Sequence, residues 1–278
     1  MPDRALERLG PERGKLSVLL AVTLSSVTLF RFVELPTLNW GVAQVFGSPL
    51  GFSLDGGTLL TLLVVGLVAT GTLAIVQDHP LSESRERPLL LALITPSIGA
   101  LLISIFLIQA ATWPLWLAVL LLGGAAIGVL VHLSYQAVSP QNPAYPGART
   151  FLNVVDYLMG FVLFSMSLSQ EGRGLVIAPL VLVLSGLLAL DLLSATGAPI
   201  GSVLLYSATI GVLEGELAWV LGYWPISTWT AATVLTLGLY IWGGIGYQYL
   251  LGRLTRQIIA EFAVIGLLML ILVVVIRP

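Results

Sequence analysis

Residues 114–136, PLWLAVLLLGGAAIGVLVHLSYQ, decide the fold. His132 is the sole ionisable group of the usual acid–base set within this run, and a helix of that length covers the roughly 30 Å hydrocarbon core of a bilayer at about 1.5 Å per residue. Lipid offers no partner for backbone N–H and C=O groups, so a spanning segment must satisfy them internally, and the run is too long and continuous for a barrel strand. It reads as a transmembrane helix.

Working outward, the same pattern recurs on both sides. Apolar runs separated by short polar breaks predict nine spans, at about 16–35, 58–77, 88–109, 114–136, 151–169, 174–195, 199–221, 226–248 and 257–276. Composition agrees: 57% of residues are hydrophobic and 9% charged, whereas a soluble domain carries roughly a quarter of its residues as charges. The fold class is an all-α polytopic transmembrane bundle. Residues 1–15 form a short N-terminal tail and 16–278 a single transmembrane domain, with halves 16–138 and 151–278 marked by a link containing Pro140, Pro143 and Pro146.

Nine alternating passes put Arg4, Arg8, Arg13, Lys15, Arg85, Arg87, Arg149, Arg253 and Arg256 on one side, and Arg173 and Arg277 on the other. Lys and Arg stay on the cytoplasmic side, so the N-terminus is expected inside and the C-terminus outside. Merging neighbouring spans scrambles this asymmetry. The residues that close the first span, Phe30 to Leu35, past the apolar run that begins at Leu16, offer no small-x-small cleavage site, so that span reads as a helix and not as a removed leader. The connection from Pro36 to Gly57 is rich in aromatic residues, among them Trp40, Phe46 and Phe52, and suits an interfacial loop or a re-entrant segment on the outer face.

Ionisable groups within lipid are costly and should face protein, a partner or a water-filled cavity. They sort into two layers. Arg31 lies near the outer side with Glu34 just beyond, and so do Glu214 and Glu216; pairing of Arg31 with one glutamate is the sharpest expectation there. Residues two apart on a helix point about 200° apart, so only one of the two glutamates can face a given partner. Near the inner side lie His132, Asp156, Asp191 and Glu261. Asn153, Asp156, Tyr157 and Gly160 follow three- and four-residue spacing and form one polar stripe; with His132 and Asp191 beside it, the cluster would relay protons. The alternative in both layers is structural: an ion pair, or interhelical hydrogen bonds near the headgroups. Gly211/Gly215 and Gly124/Gly128 are G-x-x-x-G pairs that allow close helix approach.

Several chemistries lack their residues. The chain has no cysteine, Lys15 is its only lysine, and there is no H-x-x-x-H, G-x-S-x-G, Walker loop or dinucleotide fingerprint. No cofactor, metal or nucleic-acid partner is expected, and enzymatic activity is the less favoured reading. The expected partners are membrane lipids and other membrane subunits.

The stretch Tyr240 to Tyr249, followed by Gly252, Arg253, Thr255, Arg256 and Glu261, is the most distinctive. Trp242, Tyr247, Arg253 and Arg256 are candidate lipid-headgroup contacts, since aromatic rings and arginines anchor helices at the interface and Arg grips phosphate bidentately. With the nine-span layout, this stretch resembles bacterial multi-pass membrane proteins grouped only as a family of unknown function. The resemblance lies in roughly the last 40 residues; it implies a bacterial inner-membrane protein and carries over no catalytic or binding residue. Three function classes follow: translocation of a small solute, ion or lipid through a polar intramembrane cavity; a non-catalytic subunit of a larger membrane complex; and a lipid-modifying enzyme in which Arg253 or Arg256 would converge with His132 or Asp156.

Overall fold

The computed structural model describes residues 13–32, 38–45, 48–79, 89–169 and 174–275. Among them are nine α-helices: α1 (Arg13–Phe32), α2 (Gly56–Gln77), α3 (Ile94–Gln109), α4 (Trp113–Gln136), α5 (Tyr145–Leu168), α6 (Gly174–Ser194), α7 (Ile200–Leu221), α8 (Thr228–Leu250) and α9 (Arg256–Val275). Seven segments, the described parts of α1 to α7, are long and apolar enough to cross a membrane. The helical bundle is the one the apolar runs predict. Glu34 and the boundary cations Arg4, Arg8, Arg85, Arg87, Arg173 and Arg277 lie outside the described residues.

Two local features depart from the sequence reading. The connection between α1 and α2 is not an irregular loop: β1 (Leu38–Val45) and β2 (Ser48–Leu54) pair antiparallel, with an irregularity between Asn39 and Val42. The proline-rich link is also shorter than expected, because α5 begins at Tyr145 with Pro146 in its first turn. Proline is welcome there, since the N–H it lacks would have no intrahelical acceptor. The remaining link holds its own shape through Asn142, whose side-chain oxygen accepts from the Ala144 N–H at 3.0 Å.

Helix ends follow local chemistry. Asp55 caps α2, accepting from the Thr58 N–H at 2.7 Å and the Thr58 hydroxyl at 2.6 Å, and these bonds hold its carboxyl below the usual range. A five-residue 3-10 turn, Leu89–Leu93, leads into α3, where Pro96 occupies the first turn. At the end of α8, Gly252 has φ +66°; its N–H donates to the Tyr249 carbonyl and the Arg253 N–H donates to the Gln248 carbonyl. That is a Schellman reversal, which needs a left-handed residue and so favours glycine.

Two cores share α3. One gathers Val64 and Val68 of α2, Ala100 and Leu107 of α3, and Trp116, Ile127 and Val131 of α4, with Leu19 and Val27 of α1. The other joins α3 to α5, α6, α7 and α8 through Ile98, Phe164, Val181, Leu188, Ile210 and Leu235. The closest helix pair is α6 with α7: a Cβ on Gly211 would lie 2.7 Å from the Leu182 carbonyl oxygen and 3.2 Å from Gly186 Cα. Gly211 and Gly215 therefore bring two backbones together. Gly124 and Gly128 instead receive the side chains of Leu24 and Leu20. Buried hydroxyls are largely satisfied within their own helices, as where Thr72, Ser104, Ser185 and Ser207 donate to carbonyls four residues back. Lys15, near the start of α1, pairs with Asp78 at the end of α2, so those two ends lie on the same side of the bundle.

Candidate functional site

The polar stripe of α5 extends one turn earlier than the sequence reading placed it. Arg149, Asn153 and Asp156 fall at i, i+4 and i+7, so one helix face carries all three toward the neighbouring helices. Arg149 is buried, with its Nη1 2.9 Å from Asp191 Oδ2 of α6. Its Nη2 donates to the Asp191 backbone carbonyl, which also accepts from the Ser194 hydroxyl at 2.6 Å. Asp156 is buried on the same face and accepts from the Thr95 hydroxyl of α3 at 2.9 Å. Arg149 and Asp191 both lie within electrostatic range of Asp156.

This arrangement draws on three helices. Two carboxyls share one guanidinium in an apolar interior, where an uncompensated charge is expensive and a paired one is held tightly. The Asp156 carboxyl also meets the Asp191 carboxyl in a side-chain hydrogen bond, while Arg149 Nε and the Asn153 side-chain oxygen have no hydrogen-bond partner among the described residues. Such a cluster can pass Arg149 between two carboxyl partners, or hold a proton between them.

His132 does not join it in any recorded contact; its ring nitrogen meets the Gln136 amide at 2.9 Å, one turn along α4. Tyr157 packs instead on Tyr240 of α8, ring centroids 5.8 Å apart.

Glu214 forms a second site of different character. It has no exposed surface, and neither carboxyl oxygen has a hydrogen-bond partner among the described residues. Opposite it stands Gly238 of α8, where a Cβ would come within 2.5 Å of Glu214 Oε1. The carboxyl occupies the space that a side chain at 238 would fill. Glu216, two residues on, is exposed and lines a groove between α6 and α7. The two glutamates thus diverge as helix geometry requires.

The expected pairing of Arg31 with these glutamates does not form. Arg31 is exposed at the end of α1, its guanidinium carbon 5.5 Å from the ring centroid of Trp113 on α4. It belongs to the α1–α4 core, whereas Glu214 packs between α7 and α8. A cation–π contact over an indole replaces the ion pair.

At the other distinctive stretch, Trp242, Arg253 and Arg256 are exposed and Tyr247 is half-buried. Phe262 of α9 covers Gly244, which seats α9 on α8. Asp156 is buried against Arg149, Asp191 and Thr95, His132 bonds Gln136, and Arg253 and Arg256 are exposed, so the convergence that a lipid-modifying enzyme needs does not form among the described residues. Among the described residues no group of three or more His, Cys, Asp or Glu is placed to hold a metal ion.

Sequence reasoning missed Arg149 and Thr95. Arg149 was counted as a loop cation because Pro146 suggested that the helix had not begun; its spacing from Asn153 and Asp156 is the signal that would have recovered it. Thr95 carries no such signal, since any buried threonine can satisfy itself on its own helix.

The class defined here is an all-helical bundle with membrane-length apolar helices and an ion-pair cluster sequestered within it. Residues 36–276 match the family described as Protein of unknown function (DUF5656), and the chain belongs to that family. The match runs from before the hairpin through the whole of α9. No curated protein and no solved structure matches the chain.

Proposed function

We infer that this is an integral protein of the bacterial cytoplasmic membrane, with its N-terminus inside, that translocates a small solute or ion through the half of the bundle built from α3 and α5 to α8. The observation that carries the reading is the buried Arg149–Asp191–Asp156 cluster, in which two carboxyls meet beside one guanidinium. One guanidinium bonded to one carboxylate would suffice for structure. A second buried carboxyl beside it adds desolvation cost without a full complement of bonds, and such groups in membrane helices mark ion and proton pathways. Glu214, lying in the same half of the bundle, supplies a third carboxyl along that route.

The test is flux. Protein reconstituted into vesicles with an entrapped pH dye and a panel of small ions and solutes should move at least one of them, and Asp156→Asn should abolish movement while leaving the melting temperature near wild type. Intact flux in Asp156→Asn removes the cluster from the pathway.

The subunit reading has one supporting feature, the apolar flank of α9, where Val264, Leu267, Leu268 and Leu270 are exposed. These are large side chains, suited to lipid tails; a close-packed helix interface favours small ones.

A further inference from the structure

The groove between α6 and α7 has a composition that acyl chains alone do not explain. It measures about 490 Å³, within the range of small-molecule sites. Its walls are apolar, with Ala178, Pro179 and Leu182 on α6 and Val212 on α7, and Gly215 leaves its floor without a side chain. One end holds a carboxylate and an indole, Glu216 and Trp219. Glu216 is exposed, and among the described residues no cation pairs with it.

Glu216 lies five residues before the end of α7, about 8 Å along the axis, so it sits below the helix end, where Tyr223 and Trp224 are exposed. An aromatic cluster at a helix end suits the headgroup level of a bilayer.

Negative charge, an indole face and an apolar trough have one complementary ligand chemistry. We propose that the α6–α7 groove binds a lipid of the surrounding bilayer whose headgroup ends in a primary ammonium, with the ammonium between Glu216 and Trp219 and an acyl chain along Ala178, Leu182 and Val212. The carboxylate attracts the cation, the indole adds a cation–π contact, and the trough takes the chain. An anionic lipid without a cationic group is repelled by Glu216, and a lipid whose headgroup carries no cation leaves the carboxylate unpaired below the headgroup level. The site is independent of the translocation reading, since it involves neither Asp156 nor Glu214.

The experiment is native mass spectrometry of the full chain in mild detergent with equimolar phosphatidylethanolamine and phosphatidylglycerol. Wild type should retain the ethanolamine lipid in clear excess. Glu216→Gln should lower that excess about tenfold, Trp219→Phe about threefold, and Glu216→Asp should keep most of it. Glu216 is exposed, so the variants should elute and melt as wild type does. Equal retention of the two lipids by wild type, or an excess unchanged in Glu216→Gln, overturns the proposal; so does a groove occupied by a second copy of the chain, seen as a dimer that takes up no lipid.

Discussion

The Arg149 cluster and Glu214 handle the same difficulty, a carboxyl removed from water, in opposite ways. Asp191 and Asp156 are offered a guanidinium and a threonine hydroxyl drawn from two helices, α5 and α3. Glu214 is offered no donor among the described residues, only room, left by the missing side chain of Gly238. The first site is specified by charge and the second by shape. A side chain held by partners is lost when a partner is removed, whereas one held by space is lost when the space is filled.

That contrast orders the tests. Arg149→Ala should cost the most, about 3–5 kcal/mol, because it leaves two buried carboxyls without their cation; unfolding in mixed micelles reads it, and a cost below about 1 kcal/mol would show that the cluster is not charge-specified. Asp191→Asn should fall below that, since an amide keeps the shape and Asp156 remains beside Arg149 to balance its charge. At the second site, Gly238→Ala should destabilise by about 1–3 kcal/mol through overpacking against Glu214. Glu214→Ala in the same chain should recover most of this loss, giving a coupling of about 1 kcal/mol or more in a double-mutant cycle. Glu214→Gln, which keeps the shape, should stay within about 1 kcal/mol of wild type; a large loss there would mean that Glu214 is held by charge after all.

A third acid–base group calibrates the comparison from the other core. His79 follows α2, is buried, and stacks on Tyr135 with centroids 4.5 Å apart; desolvation lowers its pKa below the ordinary value. The unfolded chain then binds the proton more readily than the folded one. Stability should fall as pH drops through about 6.5 and continue to fall toward the folded pKa, and His79→Phe should flatten that part of the profile. The smallest effect belongs to Lys15 and Asp78, both about half exposed; Asp78→Asn should cost no more than about 1 kcal/mol.

How far the sequence revealed these sites follows from what periodicity encodes. Length and hydropathy mark where each helix runs, and spacing marks which of its residues share a face, so the nine helices and the Asn153–Asp156 stripe were legible. Neither says which helices are neighbours. Arg31 and Glu214 share a depth in the sequence reading but lie in different cores, whereas Asp156 and Asp191 share a depth and also meet. Helix starts were a second blind spot: Pro146 opens α5 where it was read as loop, and Arg149 was misplaced with it. The hairpin after α1 was hidden for a similar reason, since Gly41, Gly47, Pro49 and Gly51 weaken its strand signal.

Gly186 and Gly211 put the backbones of α6 and α7 in direct contact, and α6 carries Asp191 while α7 carries Glu214. With little side-chain cushioning at that crossing, a substitution that pushes the two backbones apart bears on both acidic groups at once: Gly211→Ala should disturb the seat of Asp191 beside Arg149 and that of Glu214 against Gly238 together.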